Sequence, residues 1–297
     1  MKRVLTCILN DKAGSNSAAE AGELITKVAA ERGWEARVLN FSNGVDLDSI
    51  AAEARAAGGL VVGGGGDGTI SAVAAALVGT EVALGVLPLG TLNHFAKDLG
   101  IPLELEKAVE TLFTGKLARV DVGEVNGRIF LNNSSIGFYP RIVQARTREQ
   151  RQGRSKWVAF AQAALRVVQR SRTLHVELHE DSRQIRSYDT PFVFIGNNPY
   201  AISGLEIGTR AKVDGGKLWV CAAPNAGRLR LFALALQALL GFVRDADLST
   251  FETQQIEVLM RRNHVHVATD GEVNVMRTPL RYRSRPGALR VVVPSAD

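Results

Sequence analysis

Over the first 120 residues, short apolar runs alternate with stretches of helical spacing. Val4–Leu9, Ala36–Asn40, Gly59–Val62 and Glu81–Pro88 predict strands. Between them, Ala18–Arg32, Asp48–Ala57 and Thr69–Val78 predict helices, with Gly33 as the C-cap of the first. This strand–helix order predicts a mostly parallel sheet covered on both faces, with ligands at the carboxyl ends of its strands. Beyond about Val120 the pattern shortens to alternating segments: Arg128–Asn132, Thr173–Glu180, Pro191–Asn197, Lys217–Ala222, Gln255–Met260, His264–Ala268 and Glu272–Met276. Asp270-Gly271, between the last two, is a hairpin signal. Helical insertions are predicted near Trp157–Gln169 and Leu229–Arg244, and the closing strand Ala288–Val293 can join either half. The expected fold is an α/β domain with a mostly parallel sheet over residues 1–122, then an antiparallel β-sandwich domain over 123–297.

Composition narrows the setting. Of 297 residues, 46% are hydrophobic, and the formal charge of +6 points to an anionic partner. The amino-terminal apolar run is too short for a signal peptide and stops at Asn10-Asp11-Lys12, and the run Leu231–Val243 is too short to span a bilayer. The expected location is the cytoplasm, with contact at the inner membrane face. Two separated cysteines in apolar runs, Cys7 and Cys221, read as buried free thiols. Nine Lys or Arg against the single acid Glu149 fall between Arg141 and Arg172. Interleaved with Trp157, Phe160, Leu165 and Val168, they read either as an element resting on anionic lipid or as a solvated basic linker beside a core helix. The histidines have no metal-binding spacing, and no nucleic-acid module accompanies the charge.

The chemistry concentrates in Val61-Val62-Gly63-Gly64-Gly65-Gly66-Asp67-Gly68-Thr69, a glycine-rich junction between a buried strand and a helix. A plain junction needs one or two glycines, whereas this run lets backbone N–H groups come close to a phosphate at the helix start. Gly63, Gly65 and Gly68 fit a dinucleotide spacing, but no acidic ribose partner follows. A second loop reads Pro88-Leu89-Gly90-Thr91-Leu92-Asn93-His94.

Gly-Gly-Asp-Gly-Thr, then Pro-x-Gly-Thr-x-Asn about twenty residues on, and Asp270-Gly271-Glu272 near the end resemble the diacylglycerol kinase catalytic family, which includes bacterial lipid kinases and relatives of sphingosine and ceramide kinases. The resemblance spans almost the whole chain and implies an ATP- and Mg²⁺-dependent kinase of diacylglycerol or a similar lipid. By position it implies that Asn10, Asp11, Lys12, Ala13 and Gly14 form the first nucleotide loop. Gly65, Gly66, Asp67, Gly68, Thr69, Thr91 and Asn93 would face the ATP phosphates. Asn40 stands where the family often has Thr. Asp67 would hold Mg²⁺ through water, and Glu272 would be the general base. Three departures stand out. His94 replaces an Asp, which is expected to tune activity rather than abolish it, and Ser71 and Ala72 replace Asn and Glu. Gly215 replaces the second acid of a structural metal segment, leaving Asp214 as its candidate ligand. The alternatives are a kinase of a soluble substrate such as NAD, and a nucleotide-binding regulatory protein with little catalysis.

Overall fold

The computed structural model describes residues 3–10, 17–41, 45–57, 59–137, 173–180, 184–200, 210, 212–222 and 248–295. The expected first nucleotide loop at 11–14, the basic segment 141–172 and the apolar helix 229–244 lie outside the described residues. The chain divides into two compact units, Met1–Val122 with Arg285–Asp297, and Gly123–Ser284.

The first unit alternates β1 (Val4–Leu9), α1 (Ser17–Glu31), β2 (Glu35–Asn40), α2 (Leu47–Ala57), β3 (Leu60–Gly65), α3 (Asp67–Leu77), β4 (Ala83–Pro88), α4 (His94–Asp98) and α5 (Leu105–Thr114). β5 (Lys116–Val125) then leaves this unit for the second. The sheet order is β2-β1-β3-β4, parallel throughout. The end of the closing strand adds to it parallel, with Arg290 opposite Ala83 and Val291 opposite Leu84. β1 and β3 are buried along nearly their whole length, which is why they read as unbroken apolar runs. The apolar stripes of the helices cover them, through Ile25 and Ala29 on α1, Ile70, Val73 and Leu77 on α3, and Leu112 on α5. Cys7 and Cys221 are free and buried, and burial pushes each thiol up to about 12.

The second unit contains the end of β5, β6 (Arg128–Phe130), β7 (Asn133–Gly137), β8 (Leu174–Glu180), β9 (Ile185–Thr190), β10 (Phe192–Asn197), β11 (Leu218–Ala222), β12 (Ser249–Thr253), β13 (Gln255–Met260), β14 (His264–Thr269), β15 (Glu272–Arg277) and the start of β16 (Leu280–Val293). One layer runs β12-β11-β10-β7-β14-β15, antiparallel throughout. The other places β13 between β16 and β8, with β9 beyond, again antiparallel. Alternation selects the core: in β13 Ile256 and Val258 point inward between Gln255 and Glu257, and in β8 Val176 and Leu178 do the same. They meet Ile136, Val193, Ile195, Val220, Val265 and Val267 of the facing layer, around Phe130 and Tyr282. This is the antiparallel sandwich that the alternating segments predict. Among the described residues no helix is long and apolar enough to cross a membrane.

Candidate active site

In the first unit, β3 and β4 end side by side, with Gly65 opposite Pro88. Each feeds a glycine-bearing turn, and the two turns touch. A Cβ on Gly90 would collide with the Gly66 backbone, so the close approach requires glycine at position 90. Leu89 donates its N–H to the Gly65 carbonyl at 3.1 Å. Asn93, in the left-handed region at φ 51°, closes the second turn: its Oδ1 accepts the Gly90 N–H at 3.1 Å, and its Nδ2 donates to the carbonyls of Gly90 at 2.9 Å and Pro88 at 3.2 Å. Buried Asn93 is thus a turn-maker whose polar atoms are directed inward.

Asp67 is the first residue of α3, and the N-cap is Gly66, which gives no side-chain cap. The Asp67 carboxylate reaches instead across the two turns to the start of α4, where Oδ2 accepts the His94 N–H at 3.3 Å and Oδ1 the Phe95 N–H at 3.1 Å. It therefore caps a helix 27 residues further along the chain, not its own. His94 enters this contact through its backbone, so the contact can form whatever side chain stands at position 94. Each Asp67 oxygen keeps a further lone pair for another donor.

Of the other predicted nucleotide residues, Asn10, Asn40 and Thr91 are among the described residues and follow or close the parallel strands. Asn10 follows β1; its N–H donates to the Gly64 carbonyl at 2.9 Å, and its side chain donates to Thr69 Oγ1 at 2.8 Å. Thr91 is exposed at the tip of the second turn. Asn40 closes β2 opposite Leu9, and both line a cavity of about 670 Å³ with Ala18, Gly22, Glu23 and Val38.

In the second unit, Asp270-Gly271 turns the β14–β15 hairpin, with φ of 47° and 84°. The Asp270 carboxylate accepts three backbone N–H groups, from Leu131 at 2.7 Å, Asn132 at 2.8 Å and Asn133 at 3.1 Å. Glu272 opens β15 as an exposed side chain, and its Oε2 takes a hydrogen bond from Arg128 Nη2 at 2.7 Å. Arg128 also donates through Nε to Thr269 Oγ1 at 3.0 Å. The Asp270 and Arg128 contacts are what residue-by-residue reading missed, since a turn signal reveals neither the acceptor's partners nor a cation 144 positions away.

Asp214 is exposed, and among the described residues no group of three His, Cys, Asp or Glu side chains is placed to hold a metal ion. At exposed Gly215 an added Cβ would lie 2.8 Å from Oδ1 of buried Asn198, so a side chain there would press on that amide.

Residues 4–125 match the diacylglycerol kinase catalytic domain, and residues 137–293 match the YegS C-terminal NAD kinase beta sandwich-like domain. The chain belongs to the diacylglycerol kinase catalytic family. It is 34% identical over 276 residues to a "Probable lipid kinase YegS-like" protein of Pseudomonas syringae pv. syringae (strain B728a), covering 89% of this chain and 86% of that one. A protein of the same description from Pseudomonas aeruginosa PAO1 is 34% identical over 288 residues, covering 93% and 91%. A solved diacylglycerol kinase structure from Bacillus anthracis str. Sterne shares the fold, with a TM-score of 0.71 at 20% identity over 98% of this chain and 97% of that one.

Proposed function

We propose that this family member is an ATP-dependent lipid kinase that transfers the γ-phosphate to a hydroxyl of diacylglycerol or a similar lipid. The observation that carries the reading is the clasp of two glycine turns at the ends of β3 and β4, joined through the Asp67 carboxylate. Backbone N–H groups at the start of α3 and in the nearby turns suit phosphate oxygens. A carboxylate set among phosphate-binding amides calls for a cation between the two negative groups. Asp67 fits that need: it is a hard oxygen donor held in place by two N–H bonds, with lone pairs left over. Mg²⁺ is commonly bound by one or two carboxylates, water and substrate phosphates rather than by an all-protein cage. When bound it would neutralise charge on the phosphates. The cavity between Leu9 and Asn40 is of a size to take part of the nucleotide.

For the acceptor, Glu272 is the residue we assign as general base. Its carboxylate takes the proton from the lipid hydroxyl as that oxygen forms a bond to the γ-phosphorus. The bond from that phosphorus to the β,γ-bridging oxygen breaks, and ADP leaves with the electron pair. The residues of the clasp hold the phosphates and Glu272 handles the proton.

A coupled assay of ADP release tests the reading, with ATP and Mg²⁺ and either diacylglycerol in mixed micelles or NAD. Release stimulated by diacylglycerol is expected. Stimulation by NAD alone identifies the soluble-substrate kinase, and tight ATP binding without turnover on NAD or on any lipid of a mixed-lipid extract identifies the regulatory protein.

A further inference from the structure

We propose that Arg128 is the positioning residue for Glu272, an inference that rests on Glu272 being the base. Thr269 and Glu272 are directly opposite each other across the β14–β15 hairpin. One guanidinium contacts both side chains of this pair, Nε to Thr269 Oγ1 at 3.0 Å and Nη2 to Glu272 Oε2 at 2.7 Å. The planar fork of arginine allows two such bonds at a fixed angle, so Arg128 sets direction as well as charge.

The frame around the clamp is fixed on both sides. Arg128 begins β6 directly after the Asn126-Gly127 turn, opposite Val125. Asn126 holds that turn to the end of β15 and to the start of β16: Nδ2 donates to the Arg277 carbonyl at 2.9 Å, and Oδ1 accepts the Arg281 N–H at 2.8 Å. The Asp270 carboxylate ties the tip of the β14–β15 hairpin to residues 131–133, just past β6. The backbones of Arg128 and Glu272 are thus pinned to one another on both sides of β6, through Asn126 and Arg277 before it and through Asp270 after it. Buried Thr269, 3% exposed, is the rigid end of the chain of contacts.

Glu272 without Arg128 would be an exposed glutamate with free rotamers at the start of a strand. With Arg128, Oε2 is occupied and the carboxylate plane is set. Among the described residues, Oε1 has no hydrogen-bond partner. That oxygen is the one assigned to receive the hydroxyl proton. The side chains are 41% and 59% exposed, so the ion pair adds little to stability and its value lies in orientation.

The test is steady-state phosphoryl transfer to diacylglycerol in mixed micelles by wild type, Arg128→Met, Arg128→Lys, Thr269→Val, Glu272→Gln and the Arg128→Met/Glu272→Gln double variant, with thermal melts of each. Arg128→Met is expected to lower kcat by about 10–100-fold with little change in either KM, as misoriented catalytic groups do. Arg128→Lys, which can reach only one partner at a time, recovers part of the loss, and Thr269→Val gives a smaller loss than Arg128→Met. In the Glu272→Gln background, Arg128→Met costs nothing further. Wild-type kcat in Arg128→Met beside an inactive Glu272→Gln overturns the positioning role while leaving the base intact. A further drop in the double variant also overturns it, because Arg128 would then act on something other than Glu272. An active Glu272→Gln removes the base and this inference together. Should Arg128→Met fail to fold, Thr269→Val and Arg128→Lys carry the same comparison.

Discussion

Replacing Asp270 separates the two tasks the residue performs in the β14–β15 turn. Its carboxylate accepts three N–H groups, from Leu131, Asn132 and Asn133, and its backbone adopts φ 47°. Asp270→Gly removes all three acceptors but tolerates the left-handed backbone. Asp270→Asn keeps the backbone preference and one acceptor oxygen, which can still serve Asn132 and Asn133, while its amide NH₂ opposes the Leu131 N–H. Asp270→Ala loses the acceptors and adds about 1–2 kcal/mol of left-handed strain. Hydrogen bonds to a charged group contribute about 1.5–3 kcal/mol each. Leu131 and Asn132 are buried at 0% and 4% exposure, so their N–H groups are poorly resupplied by water, whereas Asn133 lies nearer the surface. Allowing for partial rehydration, the expected loss is about 3–5 kcal/mol for Gly, more for Ala and about 1–3 kcal/mol for Asn. At roughly 2–4 °C per kcal/mol for a domain of this size, Asp270→Gly melts about 6–20 °C below wild type. Circular dichroism melts of the four proteins give the order wild type, Asn, Gly, Ala. Asp270→Gly melting within about 2 °C of wild type would show that the three bonds are not maintained in solution and refute the reasoning.

Other consequences follow from the clasp and the core. Gly90→Ala drives a Cβ into the Gly66 backbone, and is expected to weaken ATP binding by about tenfold or more with a modest effect on Tm; equilibrium nucleotide titration checks it. Asp67→Asn keeps one acceptor for the α4 N–H groups but loses the charge that calls for a cation, so kcat should fall steeply while the melt moves by about 1 kcal/mol or less, read by kinetics beside calorimetry. Burial raises Cys7 and Cys221 from 9.0 to about 12, so each is protonated in the folded chain where the unfolded chain has already ionised. Their contribution is complete below pH 9 and is lost as pH rises from about 9 to 12. Urea midpoints should therefore decline above pH 9, less so in the Cys7→Ala/Cys221→Ala protein, and thiol reagents should label the native chain only after unfolding.

How legible each part was in the sequence depends on what its side chains face. Strands β1 and β13 have the bounds read from the residues, because one is covered on both faces and the other alternates cleanly. Strands β9 (Ile-Arg-Ser-Tyr-Asp-Thr) and β12 (Ser-Thr-Phe-Glu-Thr) were not anticipated, since as terminal strands of their layers they bury few residues and keep polar ones outside. β7, Asn133–Gly137, lies between β10 and β14, yet it fills the interior with serines: Ser134 is buried against the Tyr282 hydroxyl at 3.1 Å, so hydrophobicity does not mark it. β16 begins eight residues before the expected closing strand, hidden by the alternating arginines Arg281, Arg283 and Arg285 and by Pro286. At the site, the glycine turns and Asp270-Gly271 announce themselves because their backbone geometry restricts residue type. The partners of Asp67 and Arg128 do not, because a side chain bonding to a group 28 or 144 residues away leaves no periodic trace.

The most direct measurement is transfer of labelled γ-phosphate from ATP to a mixed-lipid extract in detergent micelles, by wild type beside Asp67→Ala and Glu272→Gln. A labelled lipid made by wild type and lost in both variants is the predicted result, and the band itself names the acceptor. No labelled lipid from folded, ATP-binding wild type would contradict the lipid kinase reading, and a band that survives Glu272→Gln would take the base away from Glu272.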